Sequence, residues 1–397
     1  MMNRILADRM QLLGTESAFE VLQRANKLQS QGMEVIHLEI GEPDFDTSPN
    51  VISSAVKAMN KGQTKYCPPA GLPQLRECIA KVSGEKRGLS FKPEEVVVTP
   101  GAKPILFFAL QACVNPGDEV ILPDPGFPIY ESAVGFCGGI PKPVPIIEKD
   151  DNFTLDLDIL ERSISPKTKA VILNSPHNPT GGIIPEKDLQ IIASLVRDKD
   201  ILIISDEIYS DIYYEEKPVS IASFPGMKER TVIVDGFSKS YAMTGWRLGY
   251  GIMPQTLAEH FAKLAVNTHS CTPPFVQLAG LEALQNGQDS LQNMVREFKA
   301  RRDILVEGLR KIPGFRCPTP RGAFYAFPNV DDTGYDSSAL ADKLLNEGGV
   351  ATLEGSSFGA AGKGYLRLSY VNSQENIYRA IEKIEKVILN NRKKQIM

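Results

Sequence analysis

A lysine and an arginine eight residues apart form the most telling pair in this chain of 397 residues. Lys239 and Arg247 lie in the run Gly236-Phe237-Ser238-Lys239-Ser240-Tyr241-Ala242-Met243-Thr244-Gly245-Trp246-Arg247-Leu248-Gly249, directly after the apolar stretch 231–235. A lysine amine condenses with an aldehyde to a Schiff base, and a guanidinium clamps a phosphate through two parallel hydrogen bonds. A small molecule carrying both an aldehyde and a phosphate would engage the two residues together. A lone lysine is ordinarily a solvated surface residue, so the reading rests on the pattern around Lys239.

The elements that must position these side chains follow from the spacing of apolar residues. Short β-branched runs at 95–99, 119–122, 170–174, 201–205, 231–235 and 249–253 alternate with helical stretches. Such alternation predicts an α/β core around a largely parallel sheet. Several runs end at a polar or glycine-rich turn: Thr99-Pro100-Gly101, Asn174-Ser175-Pro176, Asp206-Glu207 and Asp235-Gly236. Open α/β sheets bind ligands beyond the carboxyl ends of their strands, so these turns should converge. Beyond about residue 284 the pattern changes to a long charged helix at 291–310, a strand-like segment at 322–327, a helix at 337–347 and a basic helical end at 375–394. A helix at 18–31 can return to pack on this C-terminal part.

Composition narrows the class. Hydrophobic residues make up 42% and charged residues 23%, as in ordinary soluble enzymes. A net charge of −4 gives no electrostatic footprint for nucleic acid or an anionic membrane. No apolar run approaches the roughly 18–20 residues that span a bilayer. Arg4, Asp8 and Arg9 interrupt residues 1–14, which lack the apolar centre of a signal peptide, so a cytoplasmic location is expected. The six cysteines form no CxxC pair and read as free thiols in a reducing compartment. His37, His177, His260 and His269 lie far apart without ligand spacing, so no metal site is expected.

The run 236–249 resembles the cofactor-attachment signature of the class I and II aminotransferases, each position holding a residue that the signature allows. The resemblance extends from Gly41 to Arg367, with the motifs in the family's order and spacing. It implies the fold of that family: a large domain with a mostly parallel seven-stranded sheet flanked by helices, and a smaller α/β domain built from both chain ends. On that division, residues 1–45 form an N-terminal arm and part of the small domain. Residues 46–285 form the large domain that binds pyridoxal 5'-phosphate, and 286–397 the small C-terminal domain. The implied activity moves an amino group between an L-amino acid and a 2-oxo acid.

Residue roles follow from the same resemblance. Lys239 is the attachment lysine and, once displaced, the base that moves the α-proton. Asp206 pairs with the ring nitrogen and Tyr209 with the ring oxygen; read alone, they are a helix N-cap and a partly buried aromatic. Asn178, in Asn174-Ser175-Pro176-His177-Asn178-Pro179-Thr180-Gly181, contacts the ring oxygen and the substrate carboxylate, where the bare string is a turn signal. Gly101, Ala102 and Lys103 form part of a phosphate cup at a helix N-terminus, otherwise an ordinary turn. Arg247 completes the cup with Ser238, although Gly236 stands where the dicarboxylate branch carries a hydroxyl residue. Phe127 stacks on the ring or is a plain core residue, and Arg367 holds the substrate carboxylate or is a solvated strand residue. Gly41 lies in the substrate-facing loop. Tyr66 reaches the phosphate of a neighbouring subunit, which makes the expected assembly a homodimer with shared active sites.

Substrate choice turns on the cations that the site can supply. The chain looks closest to the aspartate and broad-specificity branch, whose dicarboxylate substrates need a second cation. The helix after Lys103 reads Ile105-Leu106-Phe107-Phe108-Ala109-Leu110 and supplies none, and Arg321 reads as a surface residue. Aromatic or aliphatic donors therefore stay open, as does a lyase or synthase on the same scaffold. A regulator with a DNA-binding module is disfavoured, because the residues before Gly41 carry no basic recognition helix.

Overall fold

The protein is described here by a computed structural model covering residues 5–396; residues 1–4 and 397, which the outer segments of the sequence reading include, lie outside the described residues. In chain order the strands are β1 (Ile36–His37), β2 (Val96–Thr99), β3 (Glu119–Asp124), β4 (Ile140–Lys149), β5 (Asn152–Leu155), β6 (Thr168–Asn174), β7 (Leu202–Asp206), β8 (Thr231–Gly236) and β9 (Gly249–Ile252), then β10 (Tyr325–Ala326), β11 (Val350–Ala351), β12 (Leu353–Glu354) and β13 (Leu366–Ser369).

β2 to β9 build one sheet of eight strands in the order β2-β9-β8-β7-β6-β3-β4-β5. The pairs from β8 through β7, β6 and β3 to β4 are parallel, and those of β9 with β2 and β8, and of β4 with β5, are antiparallel. Alternation sends successive side chains to opposite cores. Ile204, Val232 and Val234 join the cluster of Ile105, Phe108 and Phe261 on one face. Ile203 packs with Leu189 and Ile192, and Ile233 with Leu75 and Ile79, on the other. Both faces are covered by helices, which is why these strands read as near-continuous β-branched runs.

The sheet has eight strands where seven were expected, and β4 shows why the sequence concealed its edge. Pro141, Pro143 and Pro145 fall in β4, and proline donates no ladder hydrogen bond. The Ile140 N–H donates to Asp118 O at 2.8 Å, so the even-numbered amides face β3 and the prolines face the outer edge. Beyond them β4 turns back antiparallel into β5.

The two ends of the chain meet beside this sheet. β1 pairs in parallel with β11, Ile36 opposite Val350. Ile36 and Leu38 pack with Phe298, Phe324, Leu366 and Ile384 in one cluster. The expected helices appear as Ser17–Ser30, Gln288–Lys311, Ser337–Lys343 and Gln374–Ile396. The strand-like segment at 322–327 shrinks to β10, because Ala323 at φ +54° breaks the extended backbone. No helix among the described residues is long and apolar enough to cross a membrane.

Candidate active site

Register aligns the carboxyl ends of three neighbouring strands. Asn174 of β6 pairs with Asp206 of β7, which is followed across the ladder by Val234 of β8, and Lys239 lies just past β8. A cavity of about 360 Å³ opens at these ends. Ala102, Lys103, Phe127, Asn178, Asp206 and Tyr209 line it, together with Gly41, Ser238, Lys239, Arg247 and Arg367. Gly101 stands just behind Arg247. Tyr66 lies outside the cavity and is 88% exposed.

Lys239 donates from Nζ to Gly41 O at 2.7 Å. Burial pushes its amine down to about 8, against the pull of Glu42 and Glu16. An amine so placed is available in neutral form near physiological pH. Asp206 has the opposite problem: burial pushes its carboxyl up to about 6, while the Tyr130 hydroxyl and the Ile208 N–H hold it down. Tyr130 donates to Oδ2 at 2.6 Å, and Ile208 N to Oδ1 at 3.2 Å. Asn174 secures this end of the sheet, its Nδ2 donating to Asp206 O at 3.0 Å and its Oδ1 accepting from Asn178 N at 2.9 Å.

Arg367 is 4% exposed, with its guanidinium between two rings, 4.5 Å from Tyr325 and 4.8 Å from Phe358. Nη1 donates to Asn178 Oδ1 at 3.2 Å and Nη2 to Glu39 O, while Nε is buried without a partner. A buried cation with an unspent donor is an arrangement made for an anion. The Tyr209 and Tyr325 hydroxyls bond each other at 2.8 Å. Gly41 is required there, since a Cβ would fall 2.0 Å from the Tyr325 hydroxyl.

At the opposite wall, backbone comes close to backbone. A Cβ on Gly249 would lie 2.4 Å from Ala102 N, and one on Gly101 (φ +86°) 2.4 Å from Arg247 Nη2. The turn at Gly101 therefore lies against the Arg247 guanidinium, at the N-terminus of the helix Lys103–Cys113, where amides and a cation together suit an anion. Arg247 is exposed, adopts φ +52° and donates to Thr244 O at 2.7 Å. Lys103 leaves this turn for the N-terminal segment: it pairs with Glu16 and stands 5.3 Å over the Phe127 ring. Phe127 meets Tyr130 edge-on at 5.6 Å.

A family model described as aminotransferase class I and II matches residues 33–384. The chain belongs to that family. Its enzymatic activity is transamination. An aspartate aminotransferase of Pyrococcus abyssi is 40% identical over 89% of this chain and 92% of its own length. An aromatic-amino-acid aminotransferase of Thermococcus litoralis is 37% identical over 96% of this chain and 98% of its own. Among solved structures, the aspartate aminotransferase of Thermus thermophilus with maleate superposes with a TM-score of 0.92 at 37% identity, covering 96% of this chain and 99% of that one.

Several lining residues escaped sequence reasoning, among them Glu16, Tyr130, Asn174 and Tyr325. Asn174 opens the motif quoted around Asn178, and Tyr130 lies three residues past Phe127, yet nothing in a string shows that its hydroxyl turns back to Asp206. Glu16 and Tyr325 come from the chain's outer parts and carry no local signal. His177 proves to be a buried loop residue, bonded through Nδ1 to Thr180 Oγ1 at 2.8 Å and pushed down by burial to about 3.

Proposed function

We propose that this aminotransferase works with pyridoxal 5'-phosphate in the 360 Å³ cavity and prefers dicarboxylic amino acids and their 2-oxo acids. One observation carries the reading: an amine lowered to about 8 and a carboxylate raised to about 6 share one cavity with two arginines, Arg247 against the turn at Gly101 and Arg367 with a buried, unpartnered Nε. The donor set fits the group. Arg247 and the amides of 101–103, with Ser238, would hold its phosphate. Asp206 would hold its ring nitrogen, Tyr209 and Asn178 its ring oxygen, and Phe127 would cover a face. Lys239 would carry its aldehyde carbon.

When bound, this cofactor supplies an aldehyde for amine condensation and a ring that spreads the electron pair left by a broken Cα–H bond. Asp206, ionised above about pH 6, is the charge that favours a protonated ring nitrogen. Lys239, freed by the incoming amine, takes the Cα proton and returns it, which its lowered proton affinity suits. Arg367 and Asn178 orient the α-carboxylate for that transfer. With Lys239, Arg247 and Arg367 so engaged, Lys103 is the lining cation left for a substrate side-chain carboxylate, which would displace Glu16 from it.

A second reading, aromatic donors, draws support from the same pair: with Glu16 in place Lys103 is already neutralised, and Phe19, Ile40 and Leu106 line that flank. The enzyme is further read as a cytoplasmic homodimer, in which the exposed Tyr66 reaches the partner's phosphate site. Single amino acids added to the cofactor-loaded protein test the proposal. Loss of its visible absorbance with aspartate or glutamate, restored by 2-oxoglutarate, supports dicarboxylate transfer. Bleaching by aromatic donors alone favours the second reading. Absence of any visible band refutes the role of Lys239.

A further inference from the structure

Strand alternation turns the residue after Asp206 away from the cavity, and the same holds for the register partner on β8. Glu207 and Asp235 therefore lie side by side on the back face, 5% and 1% exposed. Two buried carboxylates at adjacent strand ends repel each other unless a cation joins them. Arg87 does so: Nε meets Glu207 Oε2 at 2.8 Å and Nη2 meets Asp235 Oδ2 at 2.9 Å. It sits in the last turn of the helix Pro73–Arg87, which Gly88 ends in a left-handed conformation.

The remaining lone pairs tie this bridge into the loops that carry the catalytic groups. Glu207 Oε1 accepts from Ser205 Oγ at 2.9 Å and Ser220 Oγ at 2.5 Å. Asp235 Oδ1 accepts from Gly236 N at 2.8 Å, the amide that starts the turn to Lys239. Alongside, Lys86 joins Asp211 at 2.6 Å, and Asp211 accepts from Ser240 Oγ at 3.2 Å. Ser240 directly follows Lys239, as Glu207 directly follows Asp206. Arg87, Glu207 and Asp235 do not line the active-site cavity; Arg87 and Glu207 border a separate one of about 270 Å³ behind it.

We propose that Arg87 is a positioning residue: by bridging Glu207 and Asp235 it locks the ends of β7 and β8 so that Asp206 and Lys239 keep their spacing across the cavity. The inference rests on the proposed roles of those two residues. It differs from a purely structural ion pair, because a neutral and stable substitute for the bridge still loses the spacing.

Arg87→Met alone strands two buried carboxylates and can unfold the protein, so the deciding variant is R87M/E207Q/D235N, which removes all three charges. Replacing buried ion pairs with neutral groups is often tolerated in stability. In the cofactor-free protein, the variant should keep a melting temperature within about 5 °C of wild type. Amide exchange should then speed up tenfold or more at Ile208 and Ser240, with β3 and β6 unchanged. In the loaded enzyme, kcat should fall on the order of 100-fold with KM within about threefold, as expected for ångström-scale misplacement. The visible circular dichroism of the bound cofactor should weaken in parallel. A folded triple variant with wild-type exchange, dichroism and kcat overturns the inference alone. A wild-type protein that shows no visible band with pyridoxal 5'-phosphate overturns the functional reading and this inference with it.

Discussion

Replacing Asp206 with asparagine should stabilise the cofactor-free protein while weakening its hold on the cofactor. Burial raises this carboxyl from its ordinary 3.8 to about 6, even with Tyr130 and Ile208 N–H holding it down. Two pKa units correspond to roughly 3 kcal/mol, and water in the cavity brings the expected cost of the charge to about 1–3 kcal/mol. Because the folded state binds this proton more tightly than the unfolded chain, the cost is absent below about pH 4, where both states are protonated. It grows between about 4 and 6 as the unfolded chain ionises first, and is constant above. Asparagine keeps an oxygen for the Tyr130 hydroxyl and carries no charge at any pH. Urea denaturation of both cofactor-free proteins should therefore show a gain of about 1–3 kcal/mol at pH 8 that fades towards pH 4.5. The affinity for pyridoxal 5'-phosphate should drop by about 10- to 100-fold, the worth of one charged hydrogen bond. An unchanged or lower stability at pH 8, or a gain equal at both pH values, would refute the reasoning.

Other residues give shorter tests. Lys239 is held near 8 by burial, so the rate of cofactor attachment should rise about tenfold per pH unit below that value and level off above it; a rise continuing to pH 10 would mark an ordinary lysine. Arg367→Lys keeps the charge but loses the fork seated between Tyr325 and Phe358, and kcat/KM should fall by about 100-fold for every amino donor, a loss under tenfold counting against its role. Lys103→Met should lower kcat/KM for aspartate and glutamate by about 10- to 100-fold and leave aromatic donors within about threefold; equal losses for both classes would assign Lys103 to the cofactor instead. Gly41→Ala would drive a methyl into the Tyr325 hydroxyl, breaking its bond to Tyr209 and displacing the carbonyl that Lys239 holds. It should cost about 1–3 kcal/mol of stability in urea denaturation and more than tenfold in kcat.

What could be read from the string was whatever the backbone makes local. β6, β7 and β8 appear as apolar runs because both of their faces are covered, and their last residues mark the turns where Asn178, Asp206 and Lys239 stand. β4 escaped because its information lies on an edge: prolines exclude an interior strand, yet here they face outward beyond the β3 ladder. The same locality limits the site. Asp206 and Lys239 announce themselves at strand ends, but Arg87 meets Glu207 and Asp235 across 120 and 148 residues of chain, and no periodicity in the helix Pro73–Arg87 distinguishes its last arginine from a solvated one. Glu16 reaches Lys103 across 87 residues, so the pair proposed to bear on substrate choice was invisible even though Lys103 itself was singled out. Chemistry placed by a strand end is thus legible in sequence, whereas the charges that tune and brace it are recruited by helix packing and by the N-terminal segment. Substitutions that retune specificity without touching the reaction are accordingly to be sought at Glu16 and its neighbours rather than in the run 236–249.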